Sequence, residues 1–221
     1  MQRLHHYPLS PFCRKVRLVL AEKRIDVELV EERYWEKSRE FLRINPAGQV
    51  PVLRNAELVL PVSQAICEYL EERHPEPPVL PKTVKARAEV RRLVGWFDDK
   101  FYNDVTKPLL TERVFKKLTG SGHPDSQAVK SGMKASRFHM DYIEWLLERR
   151  KWLGGDALTL ADFAAAAQLS CLDYISDVDW TYSEPVKEWY ATIKSRPAFR
   201  SLLADHVPGV TPAAHYTDLD F

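Results

Sequence analysis

The chain has 221 residues, 45% hydrophobic, 29% charged and 11% aromatic, and its 32 basic and 31 acidic residues leave a formal net charge of +1. At that length one large domain or two small ones bury a core that needs no covalent staples. The near-neutral balance excludes a generally basic polyanion binder and an acidic disordered chain, so no nucleic-acid partner is expected.

Three cysteines, Cys13, Cys67 and Cys171, are too few for a disulfide framework, and their odd number points to a reducing compartment. No segment approaches the roughly 18 consecutive apolar residues of a membrane span. The opening MQRLHHYPLSP lacks the apolar run of a secretory signal. A cytoplasmic protein without membrane insertion is expected.

Along the chain, Leu4 to Tyr7 reads as a short strand and Pro8 to Pro11 as its turn. PFCRKVRLVLAEKR then has helical period, with Val16, Leu18, Val19 and Leu20 apolar and Arg14, Lys15, Arg17, Lys23 and Arg24 forming a polar face. Pro11 suits the first helical turn. Asp26 to Glu31 alternates like a half-buried strand, and a polar, aromatic, irregular stretch leads to the turn Asn45–Gly48. The strands VPVLR and ELVLP follow, then a helix from Ser63, expected as its cap, with Ile66, Tyr69 and Leu70 at helical spacing. The order predicts a small mixed sheet covered by helices over residues 1–75.

The segment from His74 to Lys82 has four prolines in nine residues and makes a stiff linker, assigned to residues 76–83. Beyond it strand signals vanish. Val84 to about Lys107 and Gln127 to Lys151 read as long helices, and Thr159 to about Asp173 as a third, opened by a capping box of Thr159 and Asp162. Its run Ala164–Ala167 permits close helix packing. Glu184 to Lys194 and Ala198 to Leu203 complete an all-helical unit over 84–205, and 206–221 remains as a tail.

Three features could carry chemistry. Ser10 to Cys13 has the spacing of a redox C-x-x-C whose exposed cysteine has become serine, at a helix start where the dipole stabilises an anion. Ser10 either donates to a bound thiolate or only caps the helix, and Cys13 is expected to be buried and inert. The bond before Pro51 is a natural cis position that turns the backbone of Val50 outward, with an ordinary trans proline as the alternative. Ser63 and the first N–H groups of its helix suit a carboxylate, or form a plain cap. Seven histidines show no ligand spacing, so no metal is expected.

In this order, SPFCRKVRLVL, NPAGQVPVL, SQAICEYL, the proline linker and LTLADFAAAA resemble the glutathione transferase superfamily along nearly the whole chain. The resemblance implies a thioredoxin-like N-terminal domain, an all-α C-terminal domain and commonly a homodimer. It also implies Ser10 at the catalytic position, a cis Pro51, and Ser63 where the γ-glutamyl carboxylate of glutathione binds. One position departs: the family's acid before this serine, which holds the γ-glutamyl ammonium, is Val62 here. Loss of a charge-assisted hydrogen bond, about 1.5–3 kcal/mol, weakens binding about ten- to a hundredfold. Val62 thus argues against a competent glutathione site unless Glu68 or a partner subunit's acid substitutes.

Tyr34 and Trp35 either cover the sheet edge or anchor a protein partner. From Ser201 to the end there is no lysine or arginine, while Asp205, Asp218 and Asp220 are acidic and Leu219 and Phe221 apolar. Such an end docks back onto its own protein or into a basic groove of another. MQRLHHYPLSPFCRKVRLVLAEKRI, Tyr34–Trp35 and the closing DLDF are similar to the alphaproteobacterial division-protein branch of the superfamily. That resemblance implies binding to the tubulin-like protein FtsZ at the division site, curved or bundled filaments, and no cofactor. Trp35, Asp218, Leu219, Asp220 and Phe221 are the expected contacts. A glutathione-dependent transferase is the alternative, and a thiol–disulfide oxidoreductase the third reading.

Overall fold

A computed structural model describes residues 2–219. Strands β1 (Arg3–His6), β2 (Glu28–Glu31), β3 (Val52–Arg54) and β4 (Val59–Pro61) form one mixed sheet in the order β2-β1-β3-β4. The central Leu4 faces Leu29 in the parallel pair and Leu53 in the antiparallel pair, and it is fully buried. Parallel pairing needs a crossover, which helix α1 (Pro11–Glu22) supplies. The antiparallel β3 and β4 need only a tight turn, closed by Asn55 N–H donating to the Leu58 carbonyl at 2.9 Å.

The stretch expected to be irregular carries a 3-10 turn (Tyr34–Glu36) and helix α2 (Arg39–Ile44), whose cap Ser38 accepts from Phe41 N–H at 3.1 Å. Helix α3 (Ser63–Arg73) then covers the sheet beside α1. Its capping position belongs to Val62 rather than the expected Ser63, which is already helical. The linker is anchored: the Glu71 carboxylate accepts from Val79 and Leu80 N–H, both at 3.1 Å, and the Lys23 ammonium donates to Glu71 and to the His74 and Pro77 carbonyls.

The expected helix ending near Lys107 instead runs from Val84 to Thr119. It comprises α4 (Val84–Gly95), a π-helical stretch (Trp96–Thr106), α5 (Lys107–Leu110), a second π stretch (Thr111–Phe115) and α6 (Lys116–Thr119). Pro108 lacks an N–H and crowds the preceding turn of an α-helix. The wider register before it, where Lys107 N–H reaches the Tyr102 carbonyl, accommodates the ring and lets the helix continue. Gly120, at φ +64°, ends it.

Helix α7 (Ser126–Leu147) stops four residues short of the expected Lys151. Helix α8 (Leu160–Tyr174) is buried at every position, its alanines lying against the neighbouring helices, and α9 (Glu184–Lys194) and α10 (Arg200–Leu203) close the helical layer. Among the described residues no helix is long and apolar enough to cross a membrane.

The largest departure concerns α1. Arg14, Lys15, Arg17 and Lys23 are at most 6% exposed, because the helix is packed between sheet and helical layer and its polar face is the interface. Burying a cation is tolerable only with a partner. Each has one: Asp205 for both arginines, Asp98 for Lys15 and Glu71 for Lys23. Of that face only Arg24 is exposed.

Candidate functional site

A cleft of about 220 Å³ opens between the start of α1 and the long helix, lined by Ser10, Phe12, Tyr34, Trp35, Tyr102, Lys107 and Phe115 among others. Trp35 meets Tyr7 edge-on at 4.8 Å between centroids, Tyr34 at 5.3 Å and Phe115 at 5.6 Å, while Phe12 meets Tyr102 at 4.7 Å. Edge-to-face contacts at these distances are favourable. Trp35 and Tyr34 are therefore half-buried walls of this cleft.

Ser10 caps α1, its Oγ accepting from Cys13 N–H at 3.4 Å, and only 6% of the residue is exposed. The hydroxyl keeps one hydrogen to donate. Cys13 is fully buried and burial pushes its thiol up to about 12, despite the Ser10 contact. Cys171 is pushed up to about 11 by the same cause. Burial also holds the Tyr34 and Tyr102 phenols above their ordinary range. At neutral pH these groups are uncharged donors, and neither Cys13 nor Cys171 offers a reactive thiolate.

A second cleft of about 400 Å³ adjoins the first through Phe12, Gln49 and Val50 and continues past Pro51, Val62, Ser63 and Gln64 to Asp98. The Val50–Pro51 peptide is cis. Val62 is 64% exposed and takes φ +73°, a conformation a β-branched residue rarely adopts. Both nearby acids are already ion-paired. Glu68 is gripped by Arg91 through two bonds of 2.8 Å, which with the Gln64 amide hold its carboxyl below the usual range. Asp98 lines the cleft but pairs with the buried Lys15.

The C-terminal segment folds back onto its own chain. Tyr216 is fully buried, accepting from Arg14 Nη1 at 2.9 Å and donating to the Leu202 carbonyl at 3.1 Å. Asp205, the last residue assigned to the helical unit, is the counterion of Arg14 and Arg17. Asp218 and Leu219 are exposed, and Asp220 and Phe221 lie outside the described residues. Sequence reasoning passed over Arg14, Tyr216, Asp98, Tyr102 and Lys107. The base-free, acid-bearing end complements the cation-rich first helix in charge, but no local pattern paired Arg14 with Asp205, and nothing marked the other residues.

The comparisons agree with this geometry. The model of the glutathione S-transferase N-terminal domain matches residues 4–78 and that of the C-terminal domain residues 102–197. FtsZ-localized protein A of Caulobacter vibrioides is 50% identical over 222 residues, covering 99% of this chain and 97% of that protein. The crystal structure of a glutathione S-transferase from Rhodospirillum rubrum superposes with a TM-score of 0.98 at 50% identity, covering all of both chains. FzlA from C. crescentus superposes with a TM-score of 0.97 at 49% identity, covering 100% of this chain and 99% of that one. With both halves of the fold matched and half the residues shared with full-length relatives, the chain belongs to the glutathione S-transferase family.

Proposed function

We propose that this chain is a non-catalytic, homodimeric scaffold on the transferase fold that binds FtsZ filaments at the cytoplasmic division site and promotes their curvature or bundling. The observation that carries this reading is the 50% identity, along 99% of the chain, with a protein named for its localisation with FtsZ. The site chemistry supports it. Val62 stands where an ammonium needs an acid, the adjacent acids are spent on Arg91 and Lys15, and the Ser10 hydroxyl is nearly closed off. Trp35 and the chain end Asp218, Leu219, Asp220 and Phe221 are the proposed contacts. Two such sites on one dimer bridge neighbouring filaments, and avidity strengthens weak contacts.

Co-sedimentation with polymerised FtsZ, with and without glutathione, is the direct test. Pelleting at micromolar concentrations, indifferent to glutathione, is the expected result, and its absence overturns the reading. A second reading, a glutathione-dependent transferase, is favoured by the surviving arrangement of Ser10, Val50 and Ser63 around the two clefts. In it Ser10 donates to the glutathione thiolate, lowering the thiol pKa for attack on an electrophile. Millimolar or tighter glutathione binding by calorimetry, with turnover lost in Ser10→Ala, would establish it.

A further inference from the structure

Residues 205–216 return from α10 across the junction of sheet and helical layers, held by two buried hubs. The first is the Arg14 guanidinium, which donates to the Pro8 carbonyl at 2.6 Å, Ser170 Oγ at 3.0 Å, Tyr216 Oη at 2.9 Å and Asp205 at 3.3 Å. Arg17 shares the same Asp205 carboxylate at 2.9 Å. The second is Asp173, which meets the Lys194 ammonium at 3.3 Å and His215 Nε2 at 3.0 Å. Between the hubs, Ala213 N–H donates to the Tyr174 carbonyl at 2.9 Å and Val207 N–H to Tyr174 Oη at 3.1 Å. Two guanidinium groups that share one carboxylate out of water cannot lose it without becoming buried and unpaired. The segment is therefore fastened cooperatively.

Its apolar side has a second consequence. Val207 and Tyr216 belong to the same buried cluster as Tyr7, Leu110 and Val114, against which Tyr34, Trp35 and Phe115 pack. The segment and the walls of the aromatic cleft thus share one core. Past Tyr216 one turn bond carries the chain to Asp218. Asp218 N–H donates to the His215 carbonyl at 3.0 Å, and two residues of chain span at most about 7 Å. From these contacts we infer that residues 205–216 are a strap, with Arg14, Asp205 and Tyr216 as positioning residues, that couples the walls of the aromatic cleft to the acidic chain end, so that loosening it weakens the partner contacts proposed at Trp35 and at Asp218–Leu219 together. The partner-binding consequence rests on the function proposed above; the mechanical coupling does not.

The full-length protein tests both parts through hydrogen exchange and FtsZ co-sedimentation, using Tyr216→Phe, which keeps the packing but removes the hydroxyl, and Tyr216→Ala. The expected result for Tyr216→Phe is exchange accelerated about tenfold over 205–218 and, in parallel, over 34–36, with α7 protection unchanged. FtsZ affinity falls at least about fivefold, although Tyr216 is fully buried and touches no partner. Tyr216→Ala does the same more strongly; should it unfold, Tyr216→Phe alone decides. Exchange that rises over 205–218 but not over 34–36, or in neither variant, overturns the coupling. Coupled loosening with unchanged FtsZ affinity overturns its role in binding. Wild-type protein that fails to bind FtsZ removes the binding role together with the proposed function, and the exchange data still decide the coupling.

Discussion

His6 shows how one buried imidazole sets a pH dependence. It is 5% exposed, and burial, with Arg17 beside it, lowers its pKa to about 4 from 6.5. Between those values the unfolded chain binds a proton that the folded protein does not, so stability rises with pH across the window. The contribution is complete above pH 6.5 and is lost as the pH falls to about 4, a difference of about 3 kcal/mol. Urea unfolding of wild type and His6→Gln at pH 7 and pH 4 checks this, the variant losing most of the excess acid sensitivity. At Val62 the question is binding. A carboxylate at this position restores a charge-assisted hydrogen bond worth about 1.5–3 kcal/mol to an arriving ammonium. Val62→Asp is thus expected to tighten glutathione binding about ten- to a hundredfold by calorimetry. No gain would mean that something beyond Val62 closes the site.

Among the elements, α8 depends on one acid. Asp162 accepts from Leu153 N–H at 2.8 Å, Thr159 N–H at 2.9 Å, Thr159 Oγ1 at 3.0 Å and Trp189 Nε1 at 3.1 Å. The capping box read from the sequence therefore also ties the α7–α8 connection and α9 to the start of α8. Each buried donor left without a partner costs about 1–3 kcal/mol. Asp162→Ala strands Leu153 N–H, Thr159 N–H and the Trp189 indole, so a loss of at least about 3 kcal/mol is expected in denaturant unfolding. The same turn limits Gly154, where an added Cβ would lie 2.5 Å from Thr159 Oγ1 and 2.9 Å from Val90 Cγ2. The long helix teaches the converse lesson: Pro108 does not end it, because the π register before it already gives up the α-type bond a proline would break.

At the scale of the whole molecule, the net charge of +1 conceals an arrangement across an interface. The cations of α1 and its C-cap Lys23 are neutralised by Asp205 and Asp98 of the helical half and by Glu71 of α3, so the charge balance is partly an internal ledger of buried pairs. Asp218 is exposed two residues past the fastened segment. Charge at an interface rim steers and orients a partner, and its reversal is unfavourable. Asp218→Lys is expected to weaken FtsZ co-sedimentation about tenfold, equivalent to about 1.4 kcal/mol, while circular dichroism stays unchanged. Unaltered affinity would give the chain end a structural role only.

The order of the strands, the main helices, the capping box at Thr159 and Asp162 and the helix start at Ser10–Pro11 were legible in the linear pattern, whereas the departure at Val62 showed only against the family it resembles. Periodicity, caps and turn residues act over a few neighbouring positions, and each of these features is local. Tertiary structure alone decided that Tyr34 and Trp35 wall a cleft, that Asp98 and Glu68 are already committed, and that the polar face of α1 is an interior surface. A polar helix face reads the same in sequence whether water or a paired carboxylate from 191 positions away satisfies it. The balanced charge belonged to the sequence, and the pairing that buries Arg14 and Arg17 against Asp205 belonged to the fold.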